Sequence, residues 1–206
     1  MTTRRAPPGP AVTDTYEYLL GDWRIERTYV ERRRLERATF SGSVAVVPDC
    51  DQGPQGDQGP QGARTAGYHE RGSFRLGAHC GSGERRLRLL RRTDGAVHLS
   101  FGDGRAFADC DLSSGLWQAT HRCGADRYEL RWRVVAHDTM TEHWHVEGPR
   151  KAYDAWAVLH RLLPAVGAAG DDGAPQLAGR QVTTMSLPAS RSTTENPAAG
   201  RTRSTS

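Results

Sequence analysis

The stretch Asp126-Arg-Tyr-Glu-Leu-Arg-Trp-Arg-Val134 sets Glu129, Arg131 and Arg133 in strict alternation with Tyr128, Leu130, Trp132 and Val134. A period of two marks a strand with one wet and one buried face. The charged set faces water, because burying unpaired charge is costly. A turn at Gly124-Ala125 pairs Tyr128 with His121 and Trp132 with Trp117. A tight turn at His137-Asp138 pairs Leu130 with His145 and Trp132 with His143. The outer face then pairs Arg133 with Glu142 and Arg131 with Trp144. Extension through residues 148–151 sets Asp154 opposite His145 and Trp156 opposite His143. The expected inner face carries Trp117, His121, Cys123, Asp126, Tyr128, Leu130, Trp132, His143 and His145, polar groups on an aromatic floor.

The same period runs through the rest of the chain. Strands are expected at 22–31, 37–47, 64–76, 84–92, 96–101, 105–110, 116–123, 126–136, 139–147 and 152–162. Turn signals fall at Asp94-Gly95, Gly102-Asp103-Gly104, Ser113-Ser114-Gly115 and Gly148-Pro149. A short helix precedes them, with Asp14 as N-cap, Tyr16 to Leu20 as its body and Gly21 at its stop. Short strands at even spacing with no long helix between them predict an all-β fold, an antiparallel up-and-down barrel of about ten strands. An even count lets the last strand pair antiparallel with the first.

Parity places the loops at 33–36, 77–83, 102–104, 124–125 and 148–151 at one end of the barrel. Arg105, His121, Asp126 and Lys151 meet at that rim. Residues 1–13 are Pro-rich, residues 51–62 repeat Asp-Gln-Gly-Pro-Gln-Gly, and the chain from 164 to 206 is Ala, Gly, Pro, Ser and Thr with few large apolar residues. They read as a disordered segment, a collagen-like flexible insertion and a disordered tail around one domain at 14–163.

The chain has 206 residues, 36% apolar, and a net charge of +4. Its isoelectric point is about 9.1 and its mean hydropathy −0.67. No apolar run is long enough for a membrane helix, and the first residues carry no secretory h-region. Those readings predict a cytoplasmic protein that touches no membrane. The basic excess sits mostly outside 14–164, which holds 22 basic and 21 acidic residues. A nearly neutral domain lacks the field that nucleic acid requires, so no nucleic-acid partner is expected. Arg32-Arg33-Arg34 reads as a solvated turn and Arg85-Arg86-Leu87-Arg88 as an Arg-rich strand face. Of the 28 basic residues only Lys151 is lysine, a bias of GC-rich, bacterial coding. Cys50, Cys80, Cys110 and Cys123 form no C-x-x-C and read as reduced thiols.

Leu20-Gly21-Asp22-Trp23, following the short helix, resembles the Gly-x-Trp motif of the calycin group, the lipocalins and their relatives. The resemblance implies that Trp23 plugs the closed end of the barrel and stacks on Arg161 near the last strand. A closer resemblance rests on five ordered runs. They are Tyr18-Leu-Leu-Gly-Asp-Trp23, Phe101-Gly-Asp-Gly-Arg-Ala-Phe107, Asp109-Cys-Asp-Leu112, His121-Arg-Cys-Gly-Ala-Asp-Arg-Tyr128 and Trp144-His-Val-Glu-Gly-Pro-Arg-Lys151. Together they resemble a bacterial family of uncharacterised domains, domain of unknown function 6314. That family tends to carry a His after the Phe of Asp-Gly-Arg-x-Phe, where this chain has Ala108. The resemblance supports the fold and the rim residues and implies no activity.

The residues themselves suit binding of a small amphiphilic or anionic molecule, with Arg105 and Lys151 meeting a carboxylate or phosphate. Inside, the candidate contacts are His121, Asp126, Tyr128, Trp132, His143, His145 and Asp154. Two other chemistries stay open. In an enzyme, His145 beside Asp154 is an oriented base, with Tyr128 or His121 as acid, or Cys123 near His121 as nucleophile. In a haem or metal barrel, His121, Cys123, His143 and His145 converge on the ion, although no motif assigns a metal site or a cofactor. The plain alternative is a narrow barrel filled by its own aromatics, with His and Tyr satisfying one another.

Overall fold

A computed structural model describes residues 9–49 and 64–163. Cys50, the collagen-like insertion, the tail from 164 and residues 1–8 lie outside the described residues. Residues 9–13 include Val12, which is buried in the core. One helix, α1 (Thr15–Leu19), precedes ten strands: β1 (Gly21–Glu31), β2 (Arg37–Pro48), β3 (Thr65–Leu76), β4 (His79–Arg91), β5 (Val97–Phe101), β6 (Ala106–Cys110), β7 (Leu116–Cys123), β8 (Asp126–Ala136), β9 (Thr139–Glu147) and β10 (Ala152–Arg161).

The strands form one antiparallel sheet in the order β6-β5-β4-β3-β2-β1-β10-β9-β8-β7. The first strand pairs with the last, Trp23 opposite Arg161 and Tyr29 opposite Ala155. The edges β6 and β7 face each other across a seam, where the Trp117 indole N–H donates to the Asp109 carbonyl at 2.7 Å. The result is the expected up-and-down barrel, nearly closed.

α1 caps one end. The Asp14 side chain accepts from the Glu17 N–H at 3.1 Å and also takes the Arg91 guanidinium. Gly21, at φ +101°, makes the turn from helix to barrel wall. Trp23 is buried at this end, with the Arg161 guanidinium 4.1 Å from its ring centroid. Arg161 also donates to the carbonyls of Leu20 and Tyr18. Ile25, Val44, Leu89, Leu99, Val134 and Leu159 fill the same half. The space left beside Trp23 is only about 10 Å³, room for one water-sized group at most.

Residues 79–83, expected as part of a loop, belong to β4. Gly42, Gly72 and Gly83 stand in one row across β2, β3 and β4. A Cβ on Gly72 would lie 2.7 Å from the Gly42 Cα and 2.8 Å from Phe40 Cζ. The row lets the sheet coil tightly while Phe40 lies across it.

The hairpin from β8 to β9 departs from the tight-turn register. Ala136 pairs with Thr139, but Val134 pairs with Met140, so Val135 is an extra residue bulging from the ladder. Tyr128 then faces Val146, Leu130 faces Trp144 and Trp132 faces Glu142, one residue off the expected pairs. With a side-chain period of two, this slip turns β9 over. Met140, Glu142 and Val146 are buried, and His143 and His145 move to the outer wall. The expected outer pairs of Arg133 with Glu142 and Arg131 with Trp144 are replaced by Arg133 with Thr141 and Arg131 with His143.

Candidate functional site

Above the apolar half, four charged side chains cross the barrel interior. Arg27 donates to both oxygens of Glu70, at 2.5 and 3.0 Å, and to Glu142 at 2.6 Å. Arg85 donates to Glu70 at 2.7 Å and to Glu142 at 3.3 Å. The Tyr68 hydroxyl donates to Glu70 at 3.1 Å and the Trp132 indole to Glu142 at 2.8 Å. Formal charge cancels. Burial pushes the Glu70 carboxyl up, but Arg85 and Arg27 outweigh it and hold it at about 2. Burial opposes the same two guanidinium groups at Glu142, which is also held below the ordinary carboxylate range. Anchored anions and guanidinium groups that cannot release a proton make a poor acid–base pair near neutrality. They make a rigid polar floor.

Beyond this floor Ala38, Phe40, Val146 and Ala155 are buried, but the other large inward side chains are only partly so. Tyr29, Phe74, Phe101, Phe107, Tyr128 and Trp144 line the open half of the barrel. Phe107 packs on His121 at 5.4 Å and stacks with Trp144 at 6.1 Å, bridging the β6–β7 seam with rings. On β4 the positions leading outward from Arg85 are Gly83 and Gly81, and a Cβ on Gly81 would meet nothing within 4 Å. At the rim Lys151 donates to the Tyr128 hydroxyl at 2.7 Å and lies 2.9 Å from the Asp126 carboxylate. Partial burial disfavours the Lys151 ammonium, but Tyr128 and Asp126 hold its proton more firmly than usual. Tyr153, on the adjoining β10, is pushed up to about 12 by burial.

The sequence candidates therefore divide. His121, Asp126, Tyr128 and Lys151 do come together at the open end. Arg105 lies at the same rim but folds back on Asp103 at 2.8 Å and over the Phe101 ring. Trp132 is inside but sealed beneath the floor. His143, His145 and Asp154, expected inside, stand on the outer wall, because the Val135 bulge inverts β9 and β10 follows it in register. Their mutual pairing is as expected: His145 Nδ1 lies 2.7 Å from Asp154, and Trp156 stacks on His143 at 5.2 Å while 48% exposed. Arg32 reaches from the β1–β2 turn to Asp154 at 3.0 Å, and Arg33 binds the Gly148 and Pro149 carbonyls. That turn, expected to be solvated, clamps the β9–β10 turn. Beside His143 and His145 lies an open trough of about 420 Å³ lined by Gln118, Thr120, Glu129 and Arg131.

This division separates the His145–Asp154 base from the acids expected beside it and scatters the four expected metal ligands, while His121 and Cys123 keep the same face of β7. The His145–Asp154 pair is outside, whereas Tyr128 and His121 are inside. His121 and Cys123 likewise have the sheet between them and His143 and His145. Among the described residues no group of three or more His, Cys, Asp or Glu is placed to hold a metal ion.

The floor residues were the ones sequence reasoning missed. A signal was present: each occupies the apolar phase of its strand. Arg27 alternates in step with Trp23, Ile25 and Tyr29, and Glu70 with Ala66 and Tyr68. Arg85 alternates with Leu87 and Leu89, and Glu142 with Met140, Trp144 and Val146. Two bases and two acids in buried phase balance one another.

Comparison with known proteins agrees with the architecture. The profile of a family of unknown function, DUF6314, matches residues 19–161. No curated protein matches the sequence significantly. The S-type phycobiliprotein lyase CPES from Guillardia theta superposes with a TM-score of 0.54 at 12% identity, covering 75% of this chain and 94% of the lyase. At that identity the likeness shows a shared fold. A redesigned β-barrel, mFAP0, solved bound to DFHBI, gives a TM-score of 0.36 at 10% identity over 70% of this chain and 99% of the design. A protein of unknown function of the DUF3598 family from Nostoc punctiforme gives 0.34 at 11% identity over 77% of this chain and 53% of that one. Among the described residues no helix is long and apolar enough to cross a membrane.

Proposed function

The chain belongs to the DUF6314 family, whose matched span is the barrel itself, and from that premise we propose that it binds a small amphiphilic molecule in the open half of that barrel. The carrying observation is the contrast between the two halves. Toward α1 the inward side chains are sealed from water, while beyond the ion floor Tyr29, Phe74, Phe101, Phe107, Tyr128 and Trp144 are only partly buried and a Cβ on Gly81 would meet open space. Aromatic walls with few polar groups at one end suit a ligand with a flat apolar body and a polar head. The floor favours binding over catalysis, because its carboxylates are locked as anions by the two arginines. Lys151, held as a cation by Asp126 and Tyr128, is a rim contact for a ligand rather than a nucleophile.

Native mass spectrometry of the freshly purified protein tests for a retained ligand, and titration with N-phenyl-1-naphthylamine tests the empty barrel. The expected result is saturable one-to-one binding that Gly81→Trp blocks and His145→Ala leaves unchanged. A Cβ on Gly81 meets no atom within 4 Å, and the folding of Gly81→Trp is checked by an unaltered denaturation midpoint. Absence of saturable binding, or equal binding by a folded Gly81→Trp protein, refutes the assignment.

A further inference from the structure

The ion floor holds an excess of one kind of hydrogen-bonding group. Both oxygens of Glu70 and both of Glu142 accept from guanidinium, phenol or indole donors. Every one of these oxygens is therefore already bonded to at least one donor of the chain. The donor side is not exhausted. Arg27 uses both terminal nitrogens, on Glu70, Glu142 and the Tyr29 hydroxyl. Its Nε–H is buried with no acceptor, and so is the Nε–H of Arg85. Buried donors without partners are uncommon in folded proteins and costly. Two in one cluster, in a barrel with an open end, call for an acceptor from outside the chain. Of the two arginines Arg85 reaches furthest toward the open half, its side chain 15% exposed, with only Gly83 and Gly81 between it and the mouth on its own strand.

We infer that the ligand carries an acceptor oxygen group, a carbonyl or a carboxylate, that is seated against the floor at Arg85 and Arg27 while its flat apolar body lies among the rings above. This rests on the binding function proposed above and assigns the ligand's orientation and class. A cationic head meets the two guanidinium groups and only carboxylate oxygens already bonded to chain donors. A carboxylate gains charge-assisted bonds there. A neutral carbonyl gains the same donors and leaves the charge balance of the four floor residues undisturbed.

Three probes of one body separate the cases by calorimetric titration of the full chain: 2-naphthoate, 2-acetylnaphthalene and 2-(aminomethyl)naphthalene. The expected result is that one or both acceptor-bearing probes bind at least about tenfold more tightly than the ammonium, the scale of one charge-assisted hydrogen bond. The ratio of naphthoate to acetylnaphthalene then tells a carboxylate head from a carbonyl. Arg85→Lys, which keeps the charge and loses the Nε–H, is expected to reduce that preference to about twofold or less. A second reading needs no variant: in the wild-type protein, buried arginine Nε–H signals in proton–nitrogen correlation spectra shift when the preferred probe is added. Equal affinity for all three probes, preference for the ammonium, or unmoved Nε–H signals overturns the inference while the binding function stands. Binding of none of the three overturns both.

Discussion

Replacing Glu70 by Gln tests whether the buried charges hold the barrel together. The substitution keeps size and shape. It removes a carboxylate that accepts from Arg27 at 2.5 and 3.0 Å, from Arg85 at 2.7 Å and from Tyr68 at 3.1 Å. Two buried guanidinium groups are then left with Glu142 alone, and the new amide turns a donor toward donors. Breaking a buried ion pair on one side costs about 3–5 kcal/mol. At a urea slope of about 2 kcal/mol per molar, the midpoint falls by roughly 2 M at pH 7. The pH dependence gives a second handle. The folded carboxyl sits at about 2 against an ordinary value of 4.5. A depressed folded value contributes stability above the unfolded value and loses it as pH falls toward the folded one, here between about 4.5 and 2, and the contribution is about 3 kcal/mol. Urea titrations followed by tryptophan emission at pH 7, 4 and 3 should show the gap between wild type and Glu70→Gln narrowing with each step down. Glu142 titrates in the same direction in both proteins, and loss of the Glu70 charge deepens its depression in the variant, which offsets part of the narrowing at the lowest pH. A midpoint loss under about 0.5 M at pH 7, or a gap that stays constant below pH 4.5, would refute the reasoning.

Other perturbations separate the remaining parts. Arg161→Ala removes the cation stacked on Trp23 and two bonds to the Tyr18 and Leu20 carbonyls at the end of α1, and calorimetry should register about 1–3 kcal/mol of lost stability. Gly72→Ala drives a methyl into Gly42 and Phe40 and should cost about 2 kcal/mol or more. Gly81→Ala, with open space around it, should stay within about 1 kcal/mol of wild type by urea denaturation. Deletion of Val135 removes the extra residue and runs the Ala136–Thr139 pair straight into Val134–Met140 as a regular ladder, so Glu142 stays opposite Trp132 and inside. The expected product is soluble and within about 2 kcal/mol of wild type by urea denaturation, and a loss of the roughly 3–5 kcal/mol that an orphaned buried charge costs would contradict this account of the register.

The fold was largely legible because its signals are local. Alternation in each strand, Asp94-Gly95 and similar turns, Asp14 before a short helix and Gly21 after it are properties of neighbouring residues, and the strand boundaries followed within a few positions. The exception, Gly81 and Gly83, reads as loop by composition and as strand only because Phe40 from another strand covers the glycine row. The pairing of β9 with β10, and so of His145 with Asp154, was readable from turn length. The facing of β9 was not settled by the His137-Asp138 turn, because one extra residue reverses an entire strand. The alternation of Met140, Trp144 and Val146 within β9 pointed the other way, and burial of those side chains prevailed. The rim group of His121, Asp126, Tyr128 and Lys151 was visible from strand parity. The floor was visible only as charges in apolar phase, with nothing to say which would meet. Sequence by itself determined the period, the strand count and the neighbours along the chain. Only the closed tertiary structure decided which charges share the interior, because the Glu70–Arg85 pair of the β3–β4 hairpin is joined by Arg27 and Glu142 only once β1 and β9, far from it in the chain, face it across the barrel.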